Sequence, residues 1–153
     1  MGGEGIKDKE NMTDQQNQRD QLRQFYCDSW AKHRNQKEAL TPLEQQVVAL
    51  IKEHPEYHAL IENSEASVNA DYLPEMGDTN PFLHLGMHLG LREQIITNRP
   101  PGITELYERL VALKGVSDAE HSMMECLGEM LWQAQQSQTM PDENIYLDCL
   151  GKI

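Results

Sequence analysis

Helix-start signals recur along this chain and limit what it can fold into more than any other feature. Thr41-Pro42-Leu43-Glu44 has the form of a capping box with Pro at the first helical position. Asn80-Pro81 pairs a good N-cap with the same N-terminal Pro, and Ser117-Asp118-Ala119-Glu120 is a second capping box. Pro141-Asp142-Glu143 opens a last segment. After each signal the apolar residues return at helical spacing: Leu43, Val47, Leu50 and Ile51 after the first, and Ile145, Leu147 and Leu150 after the last. Strand-like alternation is nearly absent, so the sequence predicts an all-α fold.

Filling in between the signals gives a single compact helical bundle of six or seven helices. A first helix runs from a cap at Thr13 to about Arg34, burying Leu22, Phe25, Tyr26 and Trp30. His54-Pro55 breaks the second helix, because Pro restricts the residue before it. A short helix restarts with Tyr57, Leu60 and Ile61. Residues 64–79 read as a connecting loop, and Pro100-Pro101-Gly102 separates the fourth helix from a fifth that Gly115 closes. Residues 1–13 read as a disordered polar tail and 14–153 as one helical domain.

Composition excludes some functions. Thirteen basic residues against 25 acidic ones leave a formal charge of −12, which argues against binding a nucleic-acid backbone. No run approaches the ~20 apolar residues of a membrane span, and residues 1–13 hold no apolar leader core. Cys27, Cys126 and Cys149 are odd in number and have no close spacing. Thiols kept as small apolar side chains in a reducing cytoplasm are the simplest account.

Chemistry concentrates in three strings: His54-Pro-Glu-Tyr-His58, His84-Leu-Gly-Met-His88, and His121-Ser-Met-Met-Glu125 followed by Glu129. Residues four apart on a helix share one face, ~5–6 Å apart at Cβ, so two such side chains can chelate one ion. With Asn80 and Ser117 as N-caps and the two helices side by side, His84 lies level with His121 and His88 with Glu125. Those four, with Glu129 one turn on, are the candidate ligands of a divalent zinc, iron or manganese ion. Pro55 spoils the spacing of His54 and His58, which read as structural. Trp132 on the ligand-bearing face suggests that this face is covered, and Gly86, Gly90 and Gly128 suggest close helix approach. No His-Glu-x-x-His, Gly-rich phosphate loop or Gly-x-Ser-x-Gly elbow is present, and no catalytic residue can be singled out.

The string Asn80-Pro-Phe-Leu-His-Leu-Gly-Met-His-Leu-Gly-Leu-Arg-Glu-Gln94 resembles a bacterial family of small proteins, domain of unknown function 1841. So do the Arg99-Pro-Pro-Gly-Ile103 turn and the Glu120–Glu129 and Tyr146–Leu150 segments, the likeness running from about residue 19 onward. The resemblance implies a bacterial cytosolic protein and transfers no catalytic residue. Two readings follow. One is a metal-binding bundle. The other is a non-enzymatic module for a protein partner or a homodimer, with its buried His/Glu network purely structural and no role for nucleic acid or membrane.

Overall fold

A computed structural model describes residues 3–36, 38–72 and 80–153, with the side chains of 3–13 left aside. The described residues form α-helices and no strands. The helices are α1 (Gly3–Asn35), α2 (Pro42–Lys52), α3 (His58–Glu62), α4 (Ser64–Ser67), α5 (Pro81–Thr97), α6 (Ile103–Lys114), α7 (Val116–Ser137) and α8 (Glu143–Gly151), with a 3-10 turn at Pro55–Tyr57. The all-α expectation holds. Among the described residues a bundle of six or seven helices is roughly consistent with these eight, the addition being the four-residue α4, where the sequence predicts a loop from residue 64. The rest of that predicted loop, residues 73–79, lies outside the described residues.

The chain divides into two compact units, Met1–Leu85 and Gly86–Ile153. The dividing line crosses α5, so this one helix contributes to both. In the first unit α1 packs on α2 and α3. Its core holds Tyr26, Trp30, Val47, Leu50, Ile51, Ile61 and Leu85. The Thr41 hydroxyl accepts from the Glu44 backbone N–H, and the Glu44 carboxylate accepts from the Thr41 N–H at 2.9 Å, so the predicted capping box is real. α1 begins at Gly3, well before the predicted cap at Thr13, and takes in most of the stretch read as a polar tail.

In the second unit α6, α7 and α8 pack together around Leu91, Ile103, Leu110, Met123, Tyr146 and Leu150. Asp142 caps α8 by accepting from the Asn144 N–H. Gly115, at φ 88°, closes α6 and also stands at the N-cap of α7, which therefore starts at Val116 rather than after Ser117. Cys126 on α7 and Cys149 on α8 form a disulfide, which corrects the reading of all three cysteines as reduced thiols. Their Cα atoms are 5.7 Å apart across two packed helices, a proximity that sequence spacing could not reveal. Cys27 is a free, buried thiol. A Cβ at Gly90 or Gly128 would meet nothing within 4 Å, so neither marks a close helix approach.

Candidate metal centre

Asn80 Oδ1 accepts from the Leu83 backbone N–H at 3.1 Å and starts α5 where the sequence predicts. The helix then sets His84 and His88 one turn apart. His88 is 3% exposed and His84 half-buried. The third imidazole comes from the turn that follows α2. His54 is 8% exposed, and its ring lies edge-on to His84 with centroids 5.1 Å apart. Tyr57 stacks on His54 at 5.6 Å and meets His84 edge-on at 5.9 Å. One ligand nitrogen from each of His54, His84 and His88 lies within 4.8 Å of the other two. His54 meets His84 inside the first unit, and His88 follows His84 by a single turn of α5.

Hydrogen bonding fixes which nitrogen two of these rings can offer. His54 Nδ1 is 2.8 Å from the Leu50 carbonyl oxygen, and His88 Nδ1 is 2.8 Å from Glu120 Oε1. A carbonyl or carboxylate oxygen only accepts, so each Nδ1 carries the proton and each neutral ring has its lone pair on Nε2. Metal-bound histidines commonly take this form, with the second nitrogen donating to a backbone carbonyl or a carboxylate.

Glu120 is 5% exposed and also accepts from Arg92, whose Nε is 3.1 Å from Oε1. Burial by itself would raise the Glu120 carboxyl, but the hydrogen bonds from His88 and Arg92 outweigh that and hold it below its ordinary value. The ionised carboxylate, the imidazole and the half-buried guanidinium thus form a connected network.

A family model described as Domain of unknown function (DUF1841) matches residues 18–152. The chain belongs to the DUF1841 family. No curated protein and no solved structure matches it.

The predicted ligands of this DUF1841 chain meet different fates. His84 and His88 both belong to the group of three. His121 is exposed, donates from Nδ1 to the Ser117 carbonyl at 2.8 Å, and meets the His88 ring edge-on at 5.3 Å. It stands outside the group of three. Glu125 and Glu129 are exposed on α7, and Glu129 accepts from Gln133. The group of three holds His84 and His88 but not His121, Glu125 or Glu129. α7 buries the face that carries Ala119, Glu120, Met123, Cys126 and Met130, and Glu125 and Glu129 are exposed to solvent. Trp132, expected to be covered, is 56% exposed.

Sequence reasoning missed His54 and Glu120. Pro55 does separate His54 from His58, whose ring lies against Trp30 and donates from Nε2 to the Ile51 carbonyl. That separation left His54 able to meet His84. Glu120 was assigned to a capping box with Ser117, a role that the earlier helix start leaves unfilled. The one usable signal was that Glu120 shares a helical face with Met123 and Leu127.

Proposed function

We propose that this protein binds one divalent transition-metal ion through His54, His84 and His88. The observation that carries the reading is the convergence of three imidazole nitrogens within 4.8 Å. Tetrahedral zinc with bonds of ~2.0–2.1 Å separates its nitrogen ligands by about 3.4 Å. Small side-chain rotations would close the difference. Imidazole ligands suit zinc and iron, and three of them leave a coordination position for water or a ligand. This set revises the ligands expected from sequence: it keeps His84 and His88, adds His54, and leaves His121, Glu125 and Glu129 outside.

Metal analysis of protein purified without a histidine tag tests the reading. About one ion per chain is expected, with loss in His54→Ala, His84→Ala and His88→Ala and retention in His121→Ala. Failure to take up zinc, ferrous iron or manganese in the untagged wild-type chain would overturn it.

A second reading is a non-enzymatic interaction module whose His/Glu network serves the fold. The His88–Glu120–Arg92 hydrogen bonds favour it, as do Leu131 and Trp132, both exposed on α7. An acidic chain suits a basic protein partner or pairing through such apolar positions. Metal-free protein that behaves identically to metal-treated protein would favour this reading.

A further inference from the structure

His88 Nδ1 donates to the Glu120 carboxylate, and that carboxylate is itself gripped by the Arg92 guanidinium. We propose that Glu120 is the positioning residue of the metal centre, tuning it through His88, with Arg92 holding Glu120 in place. This rests on the metal-binding reading above.

Three observations point the same way. Glu120 Oε1 accepts from His88 Nδ1 at 2.8 Å, which sets the ring's tautomer and directs the Nε2 lone pair away from Glu120. Both side chains are withdrawn from water, at 3% and 7% side-chain exposure, so solvent screens the carboxylate little. Arg92 contacts both carboxylate oxygens, Nε at 3.1 Å from Oε1 and Nη2 at 3.5 Å from Oε2, which restrains the carboxylate's rotation. The charge has a consequence for the ion. His54 is oriented by a neutral backbone carbonyl, and His88 by an anion. A carboxylate behind an imidazole makes the ring a more basic ligand and offsets part of the cation's charge, and removing such a partner commonly weakens metal affinity by roughly 10- to 100-fold. Glu120 touches no ion in this scheme and acts only through His88.

The experiment compares the full-length wild type with Glu120→Gln and Glu120→Ala. Zinc affinity is read by competition with a chromophoric chelator, and the His88 tautomer by nitrogen-15 NMR of the metal-free proteins. Glu120→Gln keeps an oxygen able to accept from Nδ1 but removes the charge. It should bind zinc about 10-fold more weakly while preserving the Nδ1–H tautomer. Glu120→Ala should lose about 100-fold and release the tautomer as well. If Glu120→Ala does not fold, Glu120→Gln carries the test alone. Wild-type affinity in folded Glu120→Gln would overturn the proposal and leave the three-histidine reading standing. A wild-type chain that binds no zinc, iron or manganese would overturn the three-histidine reading and this proposal with it.

Discussion

His88 and Glu120 lie 32 positions apart in sequence and 2.8 Å apart in space, and both are almost fully removed from water. An isolated carboxylate at that depth would pay a large desolvation penalty; the ring N–H and the Arg92 guanidinium make it tolerable. The same pairing gives α5 and α7 a polar contact within the second unit.

Occupation of the three-histidine group should raise thermal stability. A ligand that binds only the folded state at 100 times its dissociation constant adds about 2.7 kcal/mol. Zinc added to the metal-free protein should therefore raise Tm, and His84→Ala should abolish the rise. Differential scanning calorimetry with and without a chelator makes the comparison.

The disulfide predicts sensitivity to reductant. Linking Cys126 to Cys149 closes a loop with a sequence separation of 23, and the loss of unfolded-state freedom for a loop of that size is worth about 3 kcal/mol. Dithiothreitol, or the Cys126→Ser and Cys149→Ser pair of changes, should lower the midpoint of urea unfolding. Cys27→Ser should not reproduce that dependence on reductant.

Acid should remove the stabilisation carried by Glu44. The Thr41 backbone N–H, with help from Lys32, holds the Glu44 carboxyl below its ordinary value of 4.5. A carboxyl with a lowered folded-state pKa stabilises the protein above its unfolded value, and the contribution disappears as pH falls through the folded value. Wild type and Glu44→Gln should therefore differ in urea midpoint at neutral pH and converge as pH drops below about 4.5.

Gly90→Ala and Gly128→Ala should each stabilise the protein. Both glycines sit inside helices, and an added Cβ meets nothing within 4 Å. The helix-propensity gain is about 1 kcal/mol per site. Chemical denaturation of each variant is the check, and a loss of stability at either site would refute the open-space reading.

The helical fold was legible because caps and breaks are local chemistry. Thr41, Asn80, Pro100 and Asp142 act within a few residues of themselves, and the sequence carries those relations directly. Two of the three candidate ligands were legible for the same reason, since His84 and His88 lie one helix turn apart. The rest depends on tertiary contacts. The N-cap of α7 fell to Gly115 although Ser117 had the better side chain for it, which changed the role of Glu120. His54 joined the group from the turn after α2, and Cys126 found Cys149 across a helix pair. Spacing along a chain does not encode such meetings.

α5 also places a condition on change that has little to do with which amino acids it contains. Each residue advances an α-helix by about 100°, so adding or deleting one between His84 and His88 would swing one imidazole a quarter-turn or more away from the other. Replacing the intervening Leu85, Gly86 or Met87 would leave that angle alone. The two rings are kept in step by the length of the intervening chain, so the site should tolerate drift in composition far better than any shift of frame along this helix.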